Sequence, residues 1–380
     1  MTDKIVALDV GSSNLRAIEA QIKNGVPQIL RIAEAPLDSH IVENGVIVSL
    51  ESLTIAIGRL WKQGRFESKK VFVLASGSSL FNRVLDKLPS APDADFKKLL
   101  PFTVKDRLHF EIDDFYLDSH TLTEYRDPND PSNPEVFKIA LITGVSKEYV
   151  DGIIAALQKN NLKPQGVDAL PLSLIRAHQM TDKVTAKDVV ASIELGADVT
   201  TIVIHQNHQP IYLHTAPGLG GKFVTERLAI ELQMSFPKAE MLKVALSLPE
   251  SERENFVRTV PGANKQFETI SFKDFSAQEV ATAKALIAQE VSNLITHIND
   301  IIEDSAGSSD FYVSQISLNG GGAKLSTLAQ RLSSELNITT EIAQPFGNER
   351  SKKVDDSVFA EQHRFSAVFG LLLGHDDKAK

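Results

Sequence analysis

"VALDVGSSNLRAIE", residues 6–19, reads as an apolar strand ending in an acid at Asp9, a turn of Gly11, Ser12, Ser13 and Asn14, and a second strand carrying Arg16. A turn this short, rich in glycine and hydroxyls, can aim backbone N–H groups at one anion, with Arg16 adding positive charge where strand alternation turns it inward. The same residues also make an ordinary polar β-turn, and the stretch by itself leaves both readings open.

The pattern returns near residue 188. In "VVASIELGADVTTIVI", residues 189–204, Glu194 aligns with Asp9, Gly196 with Gly11 and Ala197 with Ser12, while Asp198, Thr200 and Thr201 fall near a second turn. One repeat in each half of the chain implies two related domains facing each other. Two such turns across a cleft would grip a polyphosphate, with Asp9 and Glu194 holding Mg²⁺ mostly through water, because that ion gives up its hydration shell reluctantly. A third glycine element, "SLNGGGAKLSTL", sets Gly320, Gly321 and Gly322 ahead of Ala323 between a strand and a helix. Bare backbone there admits a flat ligand such as adenosine, or simply closes a tight strand-to-helix turn.

Composition narrows the classes. The 380 residues, 42% hydrophobic, suit two or more domains. A formal charge of −9 with no basic stretch argues against nucleic acid as a partner. The absence of cysteine excludes disulfides, thiolate nucleophiles and cysteine-ligated zinc, and agrees with a cytoplasmic setting. Acids flank the apolar run within residues 1–9, unlike a signal peptide, and the late apolar stretch at 367–374 is too short to span a bilayer, so no direct membrane insertion is expected. His205 and His208 on paired strands point to opposite faces, which with His214 makes a poor metal cluster. "APGLGGKF", residues 216–223, lacks the first glycine and final hydroxyl of a P-loop.

Apolar runs predict strands over 5–8, 15–20 and 28–33, a helix over 50–63 and a strand over 71–75. From residue 81 to about 168 the texture changes. "KKLLPFTVKDRLHFEIDD" reads as charged, helix-like patches, and a loop with Pro128, Pro131 and Pro134 excludes helix and central strand, before a helix over 147–159 and a strand over 165–168. The second half predicts helices over 221–234, 237–246 and 278–303, a strand over 312–318, a helix over 325–335, a strand over 339–342 and a closing helix over 358–372.

This combination resembles the actin-like ATPase superfamily and, within it, the PilM family of type IV pilus assembly proteins and the related FtsA division proteins, over nearly the whole chain. "LDVGSSNLRAIE", "IELGADVTTIVI", "APGLGGKFVTERLA", "KAEMLKVAL" and "ISLNGGGAKLSTLAQRL" carry the superfamily likeness. "VENGVIVSLESLTIAI", "LPFTVKDRLHFEIDD" and "FSAVFGLLLG" carry the likeness to PilM. The resemblance implies an α/β, actin-like (ribonuclease H-like) two-domain fold. A first domain over 1–80 is completed by about 166–187 and 358–380; a small subdomain is inserted at 81–165; a second domain covers 188–357, with a helical subdomain at about 222–305.

It also implies ATP and Mg²⁺ as cofactors and assigns roles by residue. Asp9 lies with the metal and water, Gly11, Ser12, Ser13, Asn14 and Arg16 surround the phosphates, and Gly196, Ala197, Asp198 and Thr200 face them, followed by Gly220 and Gly221. Glu240 and Lys243 contact ribose and base, and Gly320, Gly321, Gly322 and Ala323 border the adenosine. No catalytic residue is singled out, and the implied enzyme is at most a slow ATPase. Three positions depart from the family pattern: Glu194 stands where Asp is usual, Arg16 where Lys is common and Lys222 where Asn or Asp is. The implied partner is the N-terminal cytoplasmic tail of a PilN-like membrane protein, docked between the first domain and the insert. The chain is then a scaffold, peripheral at the inner face of the membrane, with self-association as a further expectation. Two alternatives are an FtsA-like membrane tether, which needs a C-terminal amphipathic helix, and a small-molecule kinase of the same fold, which needs a base near an acceptor hydroxyl.

Overall fold

The computed structural model describes residues 4–23, 25–105, 107, 112–127, 132, 134–179, 185–261, 267–307, 311–347 and 354–374. The first strands, β1 (Lys4–Val10), β2 (Asn14–Lys23) and β3 (Val26–Pro36), form an antiparallel meander. A short pair, β4 (Val42–Glu43) and β5 (Val46–Ile47), leads into helix α1 (Leu50–Gly64), whose N-terminal N–H of Ser52 is capped by the Ser49 hydroxyl. Strand β6 (Lys70–Ala75) then lies parallel to β1. An insertion follows, made of β7 (Leu80–Pro89), α2 (Asp93–Val104), β8 (Phe115–Arg126) and β9 (Val136–Ser146). Helix α3 (Lys147–Lys159), strand β10 (Lys163–Ala169) and helix α4 (Leu170–Gln179) return the chain to the first sheet.

The second unit repeats the plan: β11 (Val189–Leu195), β12 (Val199–Gln206) and β13 (Gln209–Pro217) form a meander. Helices α5 (Gly221–Glu231), α6 (Phe236–Ser247) and α7 (Glu250–Arg253), the hairpin β14 (Val257–Pro261) and β15 (Phe267–Ser271), and the long helix α8 (Ala277–Ala306) come next. Strand β16 (Gln315–Asn319), helix α9 (Leu328–Leu336), strand β17 (Thr339–Ile342), and helices α10 (Asp356–Phe359) and α11 (Ser366–Leu373) finish the chain. The strand order is β3-β2-β1-β6-β10 in one sheet and β13-β12-β11-β16-β17 in the other, the same topology twice.

Both sheets are covered on two faces, which is why their strands read as nearly unbroken apolar runs. In β1, Val6, Leu8 and Val10 pack beneath α1 and α3, while Ile5 and Ala7 point the other way, toward α4 and α11. In β11, Val189, Ala191, Ile193 and Leu195 join the core under α5, α6 and α8. By alternation, Asp9 shares the face of Ile5 and Ala7, away from α1 and α3, and Glu194 lies on the face away from α5, α6 and α8, so both acids are on the sides where the two units approach each other. His205 is buried on β12, its Nε2 3.1 Å from the Ser192 hydroxyl, with its ring edge-on to His178 of α4. No helix among the described residues is long and apolar enough to cross a membrane.

Three local readings are corrected. The helix-like reading of residues 97–114 holds over α2 up to Val104 and in a 3-10 turn over Ile112–Asp114, but the insert is built on an antiparallel sheet in the order β7-β9-β8, which the sequence hides because β8 buries little and its alternation is muted. Part of the "KKLLPFTVKDRLHFEIDD" stretch, and Pro128 and Pro131 of the loop, lie outside the described residues. Second, α3 sends Tyr149, Ile153, Ala156 and Leu157 into the core of the first sheet, and β10 pairs with β6, so the insert's own core ends near Ser146 rather than 165. Third, the closing helix is broken: α10 is followed by a 3-10 turn over Gln362–Phe365 before α11 begins.

Candidate functional site

The two glycine turns are closed the same way. The Gly11 N–H donates to the Asn14 carbonyl at 3.1 Å, and the Gly196 N–H to the Val199 carbonyl at 3.0 Å. In each case the acid stands two residues before the glycine, at the next-to-last position of the central strand. The second turn is tied to the start of α5, since Gly221 and Lys222 donate their N–H groups to the Gly196 and Ala197 carbonyls, each at 2.9 Å. Those first helical amides are therefore used within the protein. Thr200 donates its hydroxyl to the Leu219 carbonyl, and Gly218 donates its N–H to the Asp198 carbonyl.

Asp198 reaches across to the first unit: its Oδ2 accepts from the Asn44 N–H at 3.2 Å, and its Oδ1 lies 3.5 Å from Lys222 Nζ. The glycine run after β16 closes the far side. Gly320, at φ +82°, leaves a space in which an added Cβ would lie 2.6 Å from the Leu195 carbonyl oxygen and 2.7 Å from Glu194 Oε1. Its N–H donates to the His363 carbonyl at 3.0 Å, and Gly322 donates to Leu195 at 2.9 Å. Only a glycine tolerates both that backbone region and that approach. Gly321 passes next to the first unit, where an added Cβ would be 3.6 Å from the Arg16 guanidinium.

Arg16 is the centre of the charge arrangement. Antiparallel pairing sets it directly opposite Asp9 on β1 and Glu34 on β3. Its guanidinium is 3.5 Å from Asp9 Oδ2 and 2.9 Å from Glu34 Oε1, and Arg364 donates to that same Glu34 oxygen at 2.7 Å. Burial pushes the Asp9 carboxyl above its ordinary range, against the opposing pull of Arg16. Burial likewise pushes Glu194 up to about 8; Arg16 lowers it and Asp9 adds to the rise. For Arg16, burial works against the charge, but Glu34, Asp9 and Glu194 together hold its pKa above the usual value. Glu194 Oε2 and Arg364 Nε are buried without a hydrogen-bond partner.

The structure thus gathers Asp9, Arg16, Glu194, Gly196, Asp198 and Gly320–Gly322 around one cleft, with Gly11–Asn14 at its mouth. Glu240 and Lys243, expected at the ribose and base, hold each other. Lys243 Nζ is taken up by Glu240 at 2.7 Å, the Thr225 hydroxyl at 2.7 Å and the Gly221 carbonyl at 2.8 Å, so the pair braces α6 against α5. Two functional neighbours were missed. Glu34 was legible in principle as the residue cross-strand from Arg16, while Arg364, 330 positions from Glu34, carried no local signal.

The donor set does not fit a Mg²⁺ ion held by the protein. Among the described residues no three acidic or histidine side chains converge as ligands. Asp9, the expected lead ligand, is turned onto Arg16, and Glu194 is kept a neutral acid near pH 7 by burial. A Mg²⁺ ion held by Asp9 and Glu194 through water stays an expectation; in this structure the group beside Asp9 is the Arg16 guanidinium.

The Glu194 shift has a measurable sign. The side chain is protonated in the folded protein up to about pH 8 but ionises near 4.5 when unfolded, so stability is fully present below pH 4.5 and is lost as pH rises toward 8. Glu194→Gln should flatten that decline and exceed wild type in stability above pH 8 by on the order of a few kcal/mol. Urea unfolding of both proteins at pH 5 and pH 8.5 checks this; parallel losses would show that Glu194 is ionised in the fold.

Two sheets of equal topology, each presenting a glycine turn to a shared cleft, define an actin-like fold. Among solved structures, a PilM–PilN type IV pilus biogenesis complex is similar with a TM-score of 0.77 at 18% identity, covering 98% of both chains. The ethanolamine utilization protein EutJ from Carboxydothermus hydrogenoformans has a TM-score of 0.55 at 11% identity, covering 98% of this chain and 90% of its own. MreB5 of Spiroplasma citri bound to AMPPNP has 0.52 at 10%, covering 100% and 98%. A family model described as type IV pilus assembly protein PilM matches residues 7–272, and one described as cell division protein FtsA matches residues 191–368. The chain belongs to the type IV pilus assembly protein PilM family. No curated protein matches it in sequence.

Proposed function

We propose that this chain is an ATP-binding scaffold of a type IV pilus, which holds nucleotide in the cleft between its two sheets and docks the N-terminal cytoplasmic tail of a PilN-like membrane protein. The observation that carries this reading is the PilM family match, which runs through the first sheet, the whole insert and the second glycine turn. The likeness to MreB5 bound to AMPPNP supports a nucleotide in the cleft, and the likeness to the PilM–PilN complex supports the partner. Through that partner the chain is peripheral at the cytoplasmic face of the inner membrane. The FtsA match leaves out the insert, which favours the pilus over the division reading.

The tail site is placed at the junction of the insert with the first sheet. There the exposed Tyr116 of β8 hydrogen-bonds Asp151 of α3 at 3.2 Å, and Val46 on β5, beside α3, is exposed as well. Aromatic anchors of this kind carry a large share of peptide affinity. Calorimetric titration with ATP and with a PilN-like tail peptide tests both halves. Tyr116→Ala with Val46→Glu should weaken the peptide at least about tenfold and leave ATP affinity unchanged; unchanged peptide affinity would remove the junction as the docking site.

A further inference from the structure

The charges around Asp9 run in the opposite sense to those of a metal site. Arg16 joins Asp9 and Glu34, and Arg364 approaches the same Glu34 oxygen from the C-terminal segment. Strand register sets both contacts of Arg16, so its guanidinium is placed by the backbone and buried with it. Its two bonds are unequal: the one to Glu34 is short at 2.9 Å, and the one to Asp9 is long at 3.5 Å. A phosphate oxygen could therefore displace Asp9 while Glu34 keeps the guanidinium in position. Arg364 offers a second planar cation with a buried Nε that has no partner, and its neighbour His363 is bonded to the Gly320 turn. The glycine turn comes close to Arg16 at Gly321.

We propose that this chain holds its nucleotide without a divalent cation, the Arg16 and Arg364 guanidiniums supplying the counter-charge to the phosphates. The inference rests on the reading of the cleft as a nucleotide site. A guanidinium matches two phosphate oxygens with two parallel N–H donors, is charged at any working pH, and gives up water more readily than an ammonium does. With such groups built into the site, the nucleotide brings no requirement for a metal as bridge. A lysine at position 16, with a compact point charge and no fork, would not span Glu34 and a phosphate in this way.

The test is calorimetric titration of the full chain with ATP, once in excess Mg²⁺ and once in excess EDTA. The two affinities should agree within about threefold, and Arg364→Ala should lower the affinity in EDTA by about tenfold or more, as loss of a charge-assisted contact does. Arg16→Lys, which keeps the charge and spares the fold the loss of a buried cation, should also weaken binding in EDTA. Binding by the wild type in Mg²⁺ alone would overturn the inference and leave the nucleotide site standing. No binding in either buffer would overturn the nucleotide reading itself, and this inference with it.

Discussion

Gly370→Ala is expected to destabilise the protein by about 3 kcal/mol or more. A Cβ at Gly370 of α11 would sit 1.8 Å from the Ser173 carbonyl oxygen of α4, 2.6 Å from its carbon and 3.1 Å from its Cα. These are backbone atoms, so no rotamer change relieves the clash, and the helices must move apart. They cannot do so cheaply. Leu174, Val368, Phe369 and Leu372 from this pair fill the core under the inner face of the first sheet, and Arg176 donates to the Gly370 carbonyl at 3.1 Å. Separation opens gaps among close-packed side chains, which lose their contacts without admitting water. The urea midpoint of the variant measures the effect; a midpoint equal to wild type would mean that α4 and α11 do not touch through their backbones.

Gly220→Ala is expected to reduce nucleotide affinity by about a hundredfold, because it acts on the second turn directly. The added Cβ would lie 2.1 Å from the Ala197 carbonyl oxygen and 2.9 Å from the Asp198 carbonyl carbon. The start of α5 would be driven off the turn, breaking the bonds from Gly221 to Gly196 and from Lys222 to Ala197. Gly307→Ala is the matched control. Its Cβ would meet only ordinary contacts, the nearest at 3.5 Å, and the helical backbone there suits alanine. Titration with ATP should separate the two; equal affinity in Gly220→Ala and wild type would place the nucleotide away from the second turn.

Much of this arrangement was legible in the sequence because its parts are local. The run from Val6 to Glu19 contains a buried strand, its terminal acid and its turn, and the same text at Val189–Gln206 marks the second unit. The PilM resemblance rested on such segments, and the family match agrees with it. What escaped was non-local. Arg364 reaches Glu34 only because β3 pairs with β2 and the C-terminal segment crosses to the first sheet, and neither relation has a spacing to read. The break before α11 was hidden for a similar reason. Residues 358–372 have the composition of one helix, yet the chain turns over Gln362–Phe365 and places the His363 carbonyl beneath the Gly320 N–H. In the insert, β8 alternates half-buried with exposed residues, so its apolar period is too weak to outweigh the charges around it.

The bond between Gly320 and His363 has a mechanical meaning. It fastens the second unit to the C-terminal segment that leads into the first, on the side where α4 also packs against β11, β12 and β13. Across the cleft, the Asn44–Asp198 hydrogen bond joins the loop before β5 to the second turn, and β7 of the insert lies against β13. The molecule is therefore bound like a book, with a packed spine at one side and a lighter clasp at the other. The clasp is made of the turn that would face nucleotide and of the insert that would meet the partner. Any coupling between the two occupants would pass through that clasp, and by thermodynamic reciprocity it would be equal in both directions.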